Sequence, residues 1–153
     1  MTPRSDWRRL LLLIGRLALA AVFFVAAYAK VKPQDGMPWT VGSIKVSLAM
    51  FALGVDSYQI LPPWAVNPVA HILPPLEFGL GLWILSGITL RYSSLLATLL
   101  LTTFFFAMMR AHALYFVGPA RLVRDGIQYL PLALAVTVAS FMKHRESPGH
   151  RSA

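Results

Sequence analysis

The sequence predicts an all-α membrane protein: a bundle of four transmembrane helices, with an amphipathic or broken helical segment between the first and the second. The 153 residues are 57% hydrophobic and only 13% charged, whereas about 25% of the residues of a soluble domain are charged. Several apolar runs are long enough to cross the roughly 30 Å hydrocarbon core of a bilayer. The net charge of +8 comes from basic residues at the ends of these runs, where lipid headgroups lie.

The first predicted span covers residues 10–29, between a cytoplasmic N-terminus of residues 1–9 and the basic residues Lys30 and Lys32. Arg16 interrupts the apolar run. A signal peptide is the alternative interpretation, because Ala27-Tyr28-Ala29 resembles a cleavage site. The length of the run and the internal arginine favour a span that is retained.

Two segments of different character follow. Residues 43–57 have an apolar stripe at helical spacing, formed by Ile44, Leu48, Phe51 and Val55. This helix is too short to span, so we expect it to lie in the membrane interface or to cap the bundle. The next segment, residues 58–75, contains five prolines, which predict a broken helix. They are Pro62, Pro63, Pro68, Pro74 and Pro75.

Three further spans complete the predicted transmembrane domain of residues 10–142. The second ends near residue 90 and begins at 69 or 76, the third covers 93 to about 117, and the fourth covers 122–142 with a bend or break near Pro131. A basic tail, residues 143–153, is expected to be disordered. Four spans place both termini on one side, and seven basic residues there against six on the other favour the cytoplasm. The predicted location is the inner membrane of a bacterium.

Ionisable residues within apolar spans are the candidate functional residues, because a charge at membrane depth is costly and usually pairs inside the bundle. Glu77 lies in the second span without a counter-charge in its own helix. Helical rise places Arg16 at a depth roughly 10 Å from Glu77, with Lys30 at a similar distance on the other side. The acid therefore either pins two helices together or belongs to a functional site.

A second polar group is predicted near the non-cytoplasmic ends of the spans. Arg110, Arg124 and Asp125 are its main members, with Lys30, His71 and His112 at the same level. Such a cluster could bind a quinone head group or a small anion, or seat a partner subunit. Alternatively, Arg110 and Arg124 extend to headgroups and Asp125 neutralises one of them.

Several kinds of chemistry find no support in the sequence. Cysteine is absent, which removes disulfides, thiol redox chemistry and cysteine-bound metals. The four histidines show no metal-binding spacing, and no nucleophile motif or phosphate loop is present. Basic segments interleaved with aromatic residues are also missing, so we expect no nucleic-acid partner. The oligomeric state is left open.

The first helix carries Gly15-Arg16-Leu17 near its start and Ala29-Lys30-Val31 at its end. A second group of motifs runs from Tyr58-Gln59-Ile60-Leu61-Pro62 to Leu73-Pro74-Pro75-Leu76-Glu77 and continues through glycines. These motifs resemble the DoxX superfamily, and their spacing is closest to its MauE (methylamine utilisation) branch. The motif residues are Tyr58, Pro62, Pro74, Glu77 and Gly81. The resemblance covers residues 8–142.

The resemblance implies a four-helix membrane fold with cytoplasmic termini, beside redox proteins. MauE-type proteins are associated with maturation of methylamine dehydrogenase, and DoxX-type proteins with thiosulfate:quinone oxidoreductases. MauE-like proteins commonly carry a Cys-Gly-Cys-Phe-Gly motif after the third helix. Here the stretch reads Ala113-Leu114-Tyr115-Phe116-Val117-Gly118, and without a thiolate the chain cannot itself exchange disulfides.

Three functions remain open. The first is a non-catalytic accessory or assembly protein for a membrane or periplasmic redox enzyme, without a cofactor of its own. The second is a quinone-linked electron-transfer subunit in which Glu77 accepts protons beside Arg16 or Lys30. The third is a small transporter for an organic anion, supported only by the interior cations.

Overall fold

A computed structural model describes residues 3–115 and 129–145 of the chain, and their regular structure is entirely helical. The helices are α1 (Pro3–Val31), α2 (Val41–Ser57), α3 (Pro63–Ser86), α4 (Leu90–Tyr115) and α5 (Leu130–Arg145). The predicted all-α class is therefore confirmed.

Three helical segments are long and apolar enough to cross a membrane. They are Arg9–Val31, Pro63–Ser86 and Leu90–Arg110. The fourth predicted span is represented by a shorter apolar helix, Leu130–Met142, because residues 122–128 lie outside the described part of the chain. The count of four crossings thus stays a prediction, whereas length and composition identify three helices that could each cross. Many large apolar side chains point outward, among them Val25 and Leu53, as expected of helices that face lipid.

The core forms where α1 packs against α3 and α5. Its centre is a cluster of small and large apolar side chains: Leu19, Ala20, Phe23, Leu80, Ile84, Ala97, Ala133 and Val136. Gly81 of α3 allows a close approach to α1, because a Cβ there would lie 2.9 Å from the ring of Phe24. The same ring packs against Phe78 at 5.3 Å between centroids. These contacts fix the register of α1 on α3.

Helix α5 packs along α4 through a seam of small and hydroxyl-bearing residues. The Oγ1 atoms of Thr98 and Thr137 lie 3.0 Å apart, and the Oγ atoms of Ser94 and Ser140 lie 3.4 Å apart. All four side chains are buried. Small residues let membrane helices approach closely, and hydroxyl pairs add interhelical hydrogen bonds. The seam therefore attaches α5 to the bundle.

From Pro63 onward the proline-rich segment is continuous with the second span, so the break predicted within residues 63–75 is wrong, whereas residues 58–62 lie outside any helix as expected. Helix α3 begins at Pro63, where a missing N–H costs nothing, and continues through the three internal prolines to Ser86. Those prolines are Pro68, Pro74 and Pro75. Each removes one hydrogen bond, but breaking the helix would expose several backbone groups for which lipid has no partner. The helix is then the less costly arrangement.

Helix α2 contains the predicted amphipathic segment and starts two residues earlier, at Val41. Thr40 caps it, because its side chain accepts a hydrogen bond from the Ser43 N–H while the Ser43 side chain bonds back. All four residues of the predicted stripe are half-buried, and Phe51 and Val55 pack against a cluster that α2 and α3 share. The buried residues of α2 are Ser43, Ser47 and Ala52, so the stripe borders the packed face rather than forming its centre. Whether α2 lies in the membrane interface stays a prediction.

Candidate functional site: an intramembrane ion pair and its cavity

An ion pair between Lys30 and Glu77 joins α1 to α3. The Lys30 Nζ donates to both carboxylate oxygens, Oε1 and Oε2, at 2.7 Å each. The Glu77 side chain has no exposed surface and that of Lys30 is 15% exposed. A carboxylate so deep in an apolar bundle is costly unless paired, and this geometry pairs both of its oxygens.

The sequence places Glu77 in the core by simple helical spacing. On α3, Leu73, Glu77, Leu80 and Ile84 are all buried, at successive spacings of four, three and four positions, so Glu77 falls on one helical stripe with the three apolar residues. The acid therefore faces α1 and cannot turn to lipid. Its partner must come from another helix, and Lys30 in the last turn of α1 supplies it.

Two aromatic rings and a carbonyl complete the surroundings of the ammonium. The Lys30 Nζ lies 5.3 Å from the ring centroid of Phe51 on α2 and 5.6 Å from that of Phe104 on α4, within the range of cation–π attraction. It also donates to the Ala26 carbonyl at the longer distance of 3.3 Å. Groups from α1, α2, α3 and α4 thus meet at one ammonium.

Arg16 is not the partner of Glu77. It lies 14 positions before Lys30, about 21 Å along α1, and its guanidinium packs against Gly87 at the end of α3. A Cβ at Gly87 would collide with the Nη1 of Arg16. Its Nε is buried with no hydrogen-bond partner among the described residues. A cation at a helix C-terminus interacts favourably with the helix dipole, so Arg16 belongs to the opposite end of the bundle.

A cavity of about 1170 Å³ lies beside the ion pair, mainly between α1 and α4, and α2 and α3 also contribute to its lining. Small and apolar residues of α1, such as Ala18, Ala21 and Val25, face Leu100 and Ala107 of α4 across it. Lys30 and Glu77 also line it. The cavity was not predicted from the sequence, although the small residues on one face of α1 indicate a space beside that helix. Small side chains leave space beside a helix. Whether that space stays open depends on where the neighbouring helices lie, which hydropathy does not specify.

The family model for methylamine utilisation protein MauE matches residues 8–118. The matched stretch includes α1 from its first turns, α2, α3 and α4, and hence both members of the ion pair. This chain belongs to the MauE family. No curated protein and no solved structure matches it. The predicted MauE branch is confirmed, and the wider DoxX assignment stays a prediction.

The predicted MauE motif residues have visible structural settings. Tyr58 lines the cavity, and Pro62 is the residue before the first turn of α3. Pro74, Glu77 and Gly81 are buried residues of α3. Glu77 contacts Lys30 of α1 and Gly81 lies against Phe24 of α1, so at least two of the five motif residues build the α1–α3 contact.

The other predicted site residues do not join the ion pair in the described part of this MauE-family chain. Arg110 is exposed near the end of α4 and does not line the cavity. The His71 ring lies against its own helix, with Nδ1 2.8 Å from the Asn67 carbonyl oxygen. Arg124 and Asp125 lie outside the described residues, as does the side chain of His112. Their cluster stays a prediction. The described residues contain no group of three or more His, Cys, Asp or Glu residues able to hold a metal.

Proposed function

We propose that this protein is a non-catalytic accessory protein of methylamine utilisation, held in the membrane, that supports maturation or assembly of the methylamine-oxidising enzyme. The observation that carries the proposal is the MauE family match over residues 8–118. The family description links the chain to methylamine utilisation, and three long apolar helices link it to a membrane.

The absence of cysteine narrows what such an accessory protein can do. Disulfide exchange begins with a thiolate that attacks a sulfur atom, and this sequence contains no cysteine. Any disulfides of the partner enzyme must therefore be formed by another protein. The contribution proposed for this chain is to position or retain a partner at the membrane.

The ion pair is consistent with a structural role in such a protein. Lys30 neutralises Glu77 through two short hydrogen bonds, and two aromatic rings cover the ammonium. Buried ion pairs of this kind can specify one arrangement of helices rather than add net stability. The pair would hold α1 and α3 in the register that presents the rest of the bundle to its partner.

We propose the bacterial cytoplasmic membrane as the location, with both termini in the cytoplasm. This orientation rests on the positive-inside rule and requires the α5 region to cross the membrane as a fourth span. Small and hydroxyl residues that attach α5 to α4 support a place for it inside the bundle.

The direct test is deletion of the gene in a host that grows on methylamine. The expected result is loss of methylamine-dependent growth and of assembled methylamine dehydrogenase, with growth on other carbon sources unchanged. Reintroduction of the wild-type gene is the control. Normal levels of active enzyme in the deletion strain would overturn the proposal, and gentle affinity purification from wild-type membranes should recover the enzyme or one of its maturation proteins.

A second candidate function is a quinone-linked electron-transfer subunit. It is favoured by one observation: a carboxylate and an ammonium lie at the wall of a large apolar cavity, and such a carboxylate could exchange protons with a quinone. In that case the Glu77→Gln protein would lose quinone-dependent turnover. Full turnover in the variant would remove this candidate.

A further inference from the structure

The cavity between α1 and α4 changes character along its length. On α1 its wall runs from Ala18 through Val22 to Ala29 with apolar side chains only. It then continues to Lys30, Lys32 and Gln34. One end of the cavity is therefore apolar and the other carries charged and polar groups, which is the polarity of an amphiphile.

A space of this size and lining does not stay vacant. Protein interiors are packed as densely as organic crystals, with few voids larger than a water molecule, whereas this cavity measures about 1170 Å³. Apolar side chains form most of its wall, and along that part water has no hydrogen-bond partners. Ala21, Val25 and Ala29 line the cavity and are themselves exposed, so in a membrane the cavity is open to lipid from the side.

The length of the apolar wall matches the thickness of the hydrocarbon region of one leaflet. Ala18 and Ala29 lie 11 positions apart on α1, which corresponds to about 16 Å of helix. Half of the bilayer core is about 15 Å thick. A hydrocarbon chain that enters with its head at the polar end would thus end near Ala18, at the middle of the membrane.

Among the described residues that line the polar end, Lys32 is the cation available to a head group. Lys30 is neutralised by Glu77, but the Lys32 side chain is 49% exposed and its bond to Asp35, 3.2 Å long, involves a carboxylate that is 97% exposed. Exposed pairs of this kind contribute little, so the Lys32 ammonium can exchange Asp35 for a phosphate at small cost.

We propose that this cavity is a binding site for a membrane phospholipid of the leaflet opposite the N-terminus. An acyl chain lies along the gap between α1 and α4, and the phosphate lies at Lys32. The lipid completes the packing of α1 against α4 where side chains do not. The inference does not depend on the role in methylamine utilisation, since it rests on the cavity alone.

The test is extraction and mass spectrometry of lipids from protein purified in mild detergent. Wild-type protein should retain phospholipid in stoichiometric amount. Ala21→Phe, which fills the middle of the cavity, should lower retention about tenfold, a difference of 1.4 kcal/mol in binding. The matched control is Ala49→Phe, at an exposed position of α2 that does not line the cavity, and its retention should equal that of wild type. Lys32→Ala should weaken retention of phosphatidylglycerol, whereas Lys45→Ala, at another exposed lysine, should not.

A second measurement covers the case in which Ala21→Phe disturbs folding. Addition of phosphatidylglycerol to delipidated protein should raise the melting temperature of wild type and of Ala49→Phe, but not that of a folded Ala21→Phe protein. Wild-type protein without bound phospholipid, equal retention in the two phenylalanine variants, or an isoprenoid quinone in place of the phospholipid would each overturn the proposal. Recovery of a quinone would instead support the electron-transfer candidate. The phospholipid site and the proposed function can therefore be rejected independently of each other.

Discussion

At the residue scale, the cost of one buried carboxylate explains the most specific features of the site. Glu77 has no exposed surface, and Lys30 supplies the charge and hydrogen bonds that replace water. Because partner and acid come from different helices, the pair fixes the position of α1 on α3. A lysine that could have extended to the headgroups instead turns inward beneath two rings.

Replacing one member of the Lys30–Glu77 pair should lower the free energy of unfolding much more than replacing both members. Lys30→Met leaves the carboxylate buried and unpaired, and breaking a buried pair in this way costs about 3–5 kcal/mol. The free energy of unfolding, measured by denaturant titration in mixed micelles, checks this value. Lys45→Met is the control, since Lys45 is exposed and does not line the cavity, and a surface substitution of this kind changes the free energy of unfolding by about 0.5 kcal/mol or less. Equal losses in the two variants would contradict the account.

Two glycines should respond to the same substitution with opposite signs. Gly87 has a φ of +71° and packs against Arg16, so Gly87→Ala should destabilise the protein by about 1–2 kcal/mol, the cost of a left-handed conformation. Gly79 lies in α3 with nothing near its missing Cβ, so Gly79→Ala should stabilise the helix by up to about 1 kcal/mol. Thermal unfolding of both variants measures the difference. Destabilisation of similar size at both positions would contradict this explanation.

At the scale of the helix, α4 and α5 should be coupled through their hydroxyl pairs. A double-mutant cycle of Thr98→Val and Thr137→Val should give a coupling free energy of about 0.6 kcal/mol, the average for such pairs in membrane proteins. Thr103→Val is the matched control, because Thr103 is exposed and donates to a carbonyl of its own helix. A cycle of Thr103 with Thr137 should show no coupling, and coupling of the same size in both cycles would contradict an interhelical bond.

The helices could be read from the sequence more reliably than their arrangement. The first span and the stripe of α2 follow from hydropathy and spacing, and the structure places helices there. The break expected at the prolines of α3 was wrong, because in lipid the backbone gains nothing by leaving the helix. The choice between Arg16 and Lys30 as partner of Glu77 was out of reach. It depends on the offset of α1 against α3, which the contact of Gly81 with Phe24 sets and which hydropathy does not encode.

At the scale of the whole molecule, the number of crossings decides how the protein meets its partner. The lack of cysteine allows a clean test with single introduced cysteines and a membrane-impermeant maleimide. Four crossings predict that Ser5→Cys and Ser147→Cys are labelled from the same side and Ser57→Cys from the other. Labelling of Ser5→Cys and Ser147→Cys from opposite sides would show three crossings and would contradict the proposed orientation of the C-terminus.

The most direct test of the central claim asks whether the ion pair holds the bundle together or performs chemistry. A deletion strain is complemented with wild type, with Lys30→Met, and with the double variant Lys30→Met/Glu77→Met, whose unbranched apolar side chains fill the same space. Replacing both members of a buried pair by apolar residues is often neutral for stability. The account predicts that the double variant restores growth on methylamine and Lys30→Met does not. A double variant present in the membrane at the wild-type level, yet unable to restore growth, would contradict it.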